Sequence, residues 1–488
     1  MSVLDTILNE KSYKKRIPKY ILPITTLNAN KSQLSVITEI ENSDIVSVLG
    51  GAGVGKSQTI VNVASHFIAT NRNVLIVASS DEAVNVVSQR LNCLCGIDIC
   101  LRAGRKDSNI RLANKLLDII EGKIDLQNNQ PSNILKYFIF RNEEEAKKLL
   151  KSKVVKQLSE LISDVGNRRN LIIQAKMNLE SKQSKKEKLM QQIDFKPILK
   201  AYPAWAITAG QVSAVLPFIK NLFDLCIIDE GSMGNIAEYL PILHRAKKCV
   251  SVGDPHQISH ICWLETKKEI SFAKKYEIPE NLQLIWSYRK NSIWDFLNYY
   301  ADKTIMLDEY YRGFASIFKF SNEKFYGNKI KIMTDDTPNA VIKIKVNGKI
   351  ENGINIIEAE KAIDIVKSII NECEKTGKVK TIGILSPIRK QCDYIVKRLQ
   401  EEIKYNLIEK YKIQCGTAHA FQGNQRAIMI NSFVYAPNSP HQTLTFINNP
   451  NLLNVTITRA EEQVINLYSN DNMGNGLIAK YLASIKVN

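Results

Sequence analysis

Short apolar runs separated by amphipathic stretches set the pattern of this chain. Residues 44–49 (Asp-Ile-Val-Ser-Val-Leu) read as a buried strand, and 74–79 (Val-Leu-Ile-Val-Ala-Ser) as another. Between them a Gly-rich turn at 50–55 leads into a helix expected from about Lys56 to Ala69, and a second helix is expected over 81–91. The strand signal resumes at 223–229, 249–253, 381–386 and 426–434. Strands that alternate with helices predict an α/β fold with parallel sheets.

From about 107 to 200 the strand signal fades. Residues 127–133 (QNNQPSN) are polar and turn-like, and 141–194 are rich in Lys, Glu, Gln and Leu. Leu150, Val154, Leu158, Leu161 and Val165 recur at spacings of three and four, which marks one apolar helical face. Two readings are open, a helical hairpin inserted into the first α/β domain or a solvated spacer helix. No tandem repeat is visible.

The chain has 488 residues, too many for one ordinary core, and two to four domains are expected. Lys plus Arg number 66 against 49 Asp plus Glu, a net charge of +17. A surplus of that size favours a polyanionic partner, with nucleic acid first, since phosphate contacts release counterions. A Lys-rich composition without binding meaning is the other reading. No signal-peptide core and no run near the roughly 18 apolar residues of a membrane span is present, so a cytoplasmic protein without membrane contact is expected. The nine Cys are scattered, an odd count that argues against a disulfide framework. Cys93, Cys95 and Cys100 cluster without a nearby fourth ligand and read as buried thiols rather than a metal site.

The strongest chemical signal is Gly50-Gly51-Ala52-Gly53-Val54-Gly55-Lys56-Ser57, which matches a phosphate-binding loop. Glycines let the backbone curl its N–H groups toward phosphate oxygens, and the following helix aims its N-terminus at the same anion. Lys56 would place a charge on the β- and γ-phosphates of ATP, and Ser57 would offer its hydroxyl to Mg²⁺. Such a loop needs a carboxylate at the end of a buried strand, and Phe223–Glu230 supplies it. Asp229 would hold Mg²⁺, and Glu230 would polarise the attacking water as general base. Gln257, in the turn Val252-Gly253-Asp254-Pro255-His256-Gln257, would sense the γ-phosphate in a two-lobed ATPase.

In order along the chain, these segments resemble the superfamily 1 helicases, in the branch of the up-frameshift helicases of nonsense-mediated decay and senataxin. Leu27-Asn28 with Gln33 is similar to the adenine-reading glutamine motif, and 75–91 to a strand–helix that touches the nucleic-acid backbone. Leu101–Gly104 and Tyr202–Thr208 also match. Asp229-Glu230-Gly231-Ser232 stands where the family usually has Asp-Glu-Ala-Ser. Leu307–Arg312 followed by Phe325-Tyr326-Gly327 is similar to one arginine motif, and Asn454–Ala460 to the final one. Ile382–Pro387 looks like the strand that leads the second lobe, and Gly416–Gly423 matches the Thr-x-x-x-Phe-Gln-Gly segment. Two positions depart from the family: Gln425 replaces a Glu that commonly contacts the ribose, and Met233 replaces a frequent Gln.

The resemblance implies two RecA-like parallel-sheet lobes with a helical insertion in the first: lobe 1 over 1–106 and 201–295, the insertion over 107–200, and lobe 2 over 296–488. It implies an ATP-hydrolysing helicase moving 5′→3′ on single-stranded DNA or RNA, with ATP held between the lobes. Gln33, Gly50–Ser57, Gln58 and Gly423 would bind nucleotide, and Arg312 and Arg459 would act as arginine fingers. Ser79, Ser80, Pro387, Thr417 and His419 would lie near the strand; for Trp205, Tyr288 and Phe314 two readings are open, stacking on bases or the core packing that most aromatics take. The insertion would serve as stalk, wedge or arm for a protein partner. Two rival readings stand beside the helicase: a nucleic-acid-stimulated ATPase that remodels complexes without unwinding, such as a subunit of a defence or repair system, and a P-loop switch that binds a protein. No large domain is expected after the last motif.

Overall fold

A computed structural model of the chain describes residues 1–8, 20–95, 99–104, 108–112, 114, 116, 193–260, 262–421, 424–471 and 475–485. It divides into two compact units, the first comprising 1–50, 55–254 and 259–307, the second 51–54, 255–258 and 308–488.

The first unit is built on seven strands: β1 (Ile45–Leu49), β2 (Val74–Ala78), β3 (Cys100–Ala103), β4 (Ala204–Thr208), β5 (Phe223–Ile228), β6 (Ala246–Gly253) and β7 (Lys303–Met306). They pair in parallel in the order β3-β4-β2-β5-β6-β1-β7. Every residue of β2 (Val-Leu-Ile-Val-Ala) and β4 (Ala-Trp-Ala-Ile-Thr) is buried, as expected of parallel strands covered by helices on both faces. The helix Lys56–Ala69 follows β1 and buries Thr59 to Ile68. Its range agrees with the periodicity, and the helix expected over 81–91 runs on to Cys95.

The first unit extends past residue 295 to Leu307. The helix Ile293–Tyr300, begun by a Ser292–Asp295 capping box, and β7, in register with β1 from Val46↔Lys303 to Leu49↔Met306, complete its sheet. The insertion expected over 107–200 lies almost wholly outside the described residues; its C-terminal edge is the helix Lys196–Ala201.

In the second unit β8 (Glu309–Tyr310) pairs with β9 (Lys331–Ile332), and β11 (Ile350–Glu351) with β12 (Ile354–Asn355). The main sheet joins β10 (Val341–Lys345), β13 (Ile382–Leu385), β14 (Gln414–Gly416), β15 (Arg426–Ser432) and β16 (Ala460–Tyr468) in the all-parallel order β10-β16-β15-β13-β14. Helices Ile356–Thr376 and Arg389–Glu402 bury Ile363, Val366, Ile395 and Leu399 with Ile384 and Ile430 of the sheet. Both units are thus α/β with parallel sheets of RecA-like type. Among the described residues no helix is long and apolar enough to cross a membrane. Of the clustered thiols, Cys100 is buried but Cys93 is exposed.

Candidate functional site

In the first unit, β1 ends where the glycine loop begins. The Gly50 N–H donates to the Gly253 carbonyl at 3.1 Å, which ties the loop's first residue to the end of β6. Gly55 closes the loop at φ 84° and starts the helix Lys56–Ala69 with no side-chain cap. A cap residue without a side chain leaves the helix's positive end for an anion. Lys56 Nζ donates to the Gly50 carbonyl at 2.8 Å, folding the ammonium back across the loop, and Ser57 follows in the helix's first turn.

Gln33 lies against this loop. A Cβ on Gly55 would stand 2.5 Å from Gln33 Nε2, so the close approach demands glycine. Gln33 is buried and held in a capping box, in which its N–H donates to Asn30 Oδ1 at 2.9 Å and Asn30 N–H donates to its Oε1 at 3.1 Å. The segment ahead is pinned to the same helix: Asn62 Oδ1 accepts the N–H groups of Thr26 and Leu27 at 3.1 and 2.9 Å, and Gln58 donates to the Asn28 carbonyl.

Asp229 and Glu230 follow β5. The Asp229 N–H donates to Val77 O at 2.8 Å, and the Glu230 N–H donates to Asp229 Oδ1 at 2.8 Å. Burial pushes the Asp229 carboxyl up from the ordinary range, opposed by the Lys56 charge and the Glu230 N–H. Glu230 sits at φ 50°, a conformation costly for a residue with a Cβ, and Ser80 Oγ donates to its Oε2 at 3.4 Å.

Trp294 is a residue that the motifs do not reveal. Its Nε1 donates to Val48 O at 3.1 Å, and a Cβ on Gly253 would lie 2.5 Å from its Cδ1. At Gly231 a Cβ would meet Ser251 Oγ at 3.0 Å and Trp294 Cβ at 3.2 Å. This crowding accounts for glycine where the related motif usually has alanine. The ring therefore buttresses the ends of β1 and β6 and the turn after β5.

The second unit gathers the other candidates. Arg459 is buried; its Nη2 donates to Gln257 Oε1 at 3.2 Å and its Nε to Val455 O at 3.2 Å. Arg312 Nη1 donates to Thr458 O at 3.3 Å. Gly53 has φ 79°, and a Cβ there would stand 2.6 Å from Arg312 Cβ; the Tyr311 N–H donates to Gly53 O at 3.0 Å. Asn454, which opens the final arginine motif, donates through Nδ2 to His256 O at 2.8 Å and so fixes the turn that carries Gln257.

The nucleic-acid candidates divide. Ser79 and His419 are exposed and Thr417 half-buried, whereas Pro387 is buried, as is Ser386 before it. Trp205 is fully buried in β4 with Nε1 donating to Tyr202 O at 3.1 Å, so it is a core residue and stacks on no base. Tyr288 is half-buried beside His260, and Phe314 packs against the second unit's core. Trp263, by contrast, is 88% exposed. Gly423 lies outside the described residues, and Gln425 is exposed.

Two family models, each of an AAA domain, match residues 28–262 and 336–470, together about three quarters of the chain. The regulator of nonsense transcripts 1 of Dictyostelium discoideum is 24% identical over 507 residues, covering 98% of this chain and 33% of its own length. The helicase sen1 of Schizosaccharomyces pombe is 22% identical over 496 residues, covering 88% of this chain and 28% of its own. The chain belongs to the superfamily 1 helicases, in the up-frameshift and Sen1-like branch. Another relative, the ATP-dependent helicase MG140 of Mycoplasma genitalium, is 23% identical over 313 residues, covering 59% of this chain and 28% of its own. This superfamily 1 chain thus spans about a third or less of the length of these relatives. The helicase of PRRSV aligns over 90% of this chain and 54% of its own, at 11% identity and a TM-score of 0.38; the fold assignment rests on the two parallel sheets instead. Of the helicase positions, Lys56, Asp229, Glu230 and Gln257 fall within the first matched region and Arg459 within the second, while Arg312 lies in the interval separating them.

Proposed function

We propose that the chain is an ATP-dependent helicase or translocase that moves 5′→3′ on single-stranded DNA or RNA, hydrolysing ATP with groups from both RecA-like lobes. The observation that carries this reading is the joining of Lys56, Asp229 and Glu230 beyond the C-terminal ends of β1 and β5, where the lysine charge acts on the Asp229 carboxyl. Open α/β sheets bind ligands at that edge.

The residues present fit a nucleotide. The uncapped helix start after Gly55 and the Lys56 ammonium suit an anion, and the Gln33 amide beside Gly55 suits an adenine edge, which offers both a donor and an acceptor. Ser57 and Asp229 would hold Mg²⁺, which when bound neutralises phosphate charge. Lys56 exchanges the Gly50 carbonyl for a phosphate oxygen. Glu230 accepts a proton from the attacking water, with Ser80 orienting its carboxylate. Arg312 and Arg459 stabilise the charge that spreads over the transferring phosphoryl oxygens, and Gln257, bonded to Arg459, relays the loss of the γ-phosphate. Thr417, His419 and Ser79 are the surface candidates for strand contacts. A protein partner would dock on the 107–200 insertion, and the scattered cysteines suit a reducing cytoplasm.

The test is ATP turnover with and without single-stranded DNA and RNA, followed by unwinding of duplexes with 5′ or 3′ tails. The expected result is stimulation by a single strand and unwinding from a 5′ tail. Unwinding from a 3′ tail reverses the polarity. Stimulation without strand separation replaces the helicase with a remodelling ATPase, and no stimulation by either polymer removes the motor reading.

A further inference from the structure

The first unit carries a cavity of about 380 Å³ that the ATP reading does not use. Its walls include Asn73, Pro203 and Leu222, the residues immediately before β2, β4 and β5. The phosphate loop and Asp229 follow the opposite, C-terminal strand ends. A five-residue strand such as β2 puts about 16 Å between the two edges. The cavity is therefore a second site on the same sheet.

Its floor is apolar, made by Leu199, Pro203, Ile219 and Leu222, and its rim is cationic, with no carboxylate among the described lining residues. Two rim cations already answer carboxylates, Arg72 with Glu41 and Lys220 with Asp5 at 2.7 Å. Lys196 and Lys200 have no ion-pair partner among the described residues. They stand at i and i+4 on the helix Lys196–Ala201, where like charges repel. An anion seated between them removes that repulsion. Asn221 also lines the cavity.

We propose that this cavity binds a nucleoside phosphate. The base lies on the apolar floor, and the phosphate meets Lys196 and Lys200. The volume falls within the range of small-molecule pockets, and a mostly apolar lining with a few placed polar groups is their usual composition. A free nucleotide and the 5′-phosphorylated end of a strand share this chemistry.

The experiment is photolabelling of the full chain with 8-azido-AMP, followed by peptide mapping. The expected result is saturable labelling of peptides spanning 196–203 or 219–222, distinct from any label on the phosphate loop. Lys196→Glu with Lys200→Glu should reduce that labelling about ten-fold or more, as two charge-assisted contacts are lost, while an unchanged thermal unfolding transition reports a folded protein. Ile219→Trp, which fills the floor, should act likewise. Competition by unlabelled AMP assigns a free nucleotide; competition only by a 5′-phosphorylated single strand assigns a strand end. Absence of saturable label at these peptides, or label indifferent to both variants, overturns the proposal and leaves the ATP reading untouched.

Discussion

The guanidinium of Arg459 donates through Nη2 to Oε1 of Gln257 at 3.2 Å, and both side chains are buried. A buried arginine bonded to an amide does not act alone, since removing one partner leaves the other unsatisfied. Arg459→Ala should lower kcat for ATP by about 10²- to 10³-fold, in the range seen when one transition-state donor is removed. Gln257→Ala should also slow turnover, and the double variant should be little worse than Arg459→Ala, because groups that act as a unit are not additive. Steady-state kinetics of the three proteins check this; effects that multiply would show two independent groups.

Lys56 and Glu230 separate binding from chemistry. Lys56→Ala should abolish hydrolysis. Glu230→Gln should keep ATP affinity near that of the parent while kcat falls by about 10²- to 10⁴-fold, the contribution of a general base. A binding titration beside single-turnover hydrolysis distinguishes them. Normal turnover in Glu230→Gln removes the glutamate as base.

Gly55 allows two things at once, a φ of 84° and the approach of Gln33. Gly55→Ala adds a left-handed backbone cost of about 1–2 kcal/mol and pushes the Gln33 amide away. Lower thermal stability and weaker binding of a fluorescent ATP analogue are expected together; unchanged binding would mean that Gln33 does not contribute to the nucleotide pocket.

Trp205 separates a core role from a stacking role. Trp205→Ala should destabilise the chain by about 3–5 kcal/mol, as large-to-small core changes do. Denaturant titration measures that loss. Fluorescence anisotropy with labelled single strands should show little change in affinity for whatever fraction stays folded, and a specific loss of affinity at full stability would return Trp205 to the nucleic-acid surface.

These contrasts show what the linear pattern could and could not tell. The phosphate loop and the Asp229-Glu230 pair were legible because their chemistry depends on local backbone and neighbouring positions. Strands β2 and β5 were legible as short apolar runs. β16 was not, because its Asn466 is buried and satisfied by Ile342 O, 124 residues away, and by Tyr481 Oη, partners that only the fold brings to it. β7 was missed because two of its four residues are exposed. Trp294 is invisible as a buttress since Val48, Gly231 and Gly253 come from three separate segments, and the choice between core and stacking for Trp205 stays open in the sequence because only the assembled sheet decides whether an aromatic is inside.

Glu358 gives the second unit a pH dependence. Fully buried, it accepts hydrogen bonds from Ser432 Oγ at 2.7 Å, Val434 N–H at 2.9 Å, Ser469 Oγ at 2.7 Å and Asn355 Nδ2 at 3.1 Å. Burial outweighs these bonds and raises its pKa from 4.5 to about 7. A carboxyl raised on folding binds more protons in the native state, so the contribution of Glu358 to stability is fully present below about pH 4.5 and is lost as pH rises through about 7. The loss amounts to about 3 kcal/mol. Glu358→Gln cannot ionise, so its stability relative to the parent should improve by that amount from pH 4.5 to 8. Denaturation of both proteins across this range measures it, and a constant difference would show that Glu358 does not titrate there.

β1 carries the phosphate loop, yet its two sheet neighbours are β6 at Ala246–Gly253 and β7 at Lys303–Met306. On the ribosome, some two hundred residues must still be added after β1 before either edge can be paired. At synthesis rates of about 5–20 residues per second this leaves an apolar strand without partners for on the order of ten seconds or more. The strand that leads into the phosphate loop is thus among the first made and among the last to acquire its shape, and a nascent chain halted before Gly253 should neither bind ATP nor resist proteolysis around Ile45–Leu49.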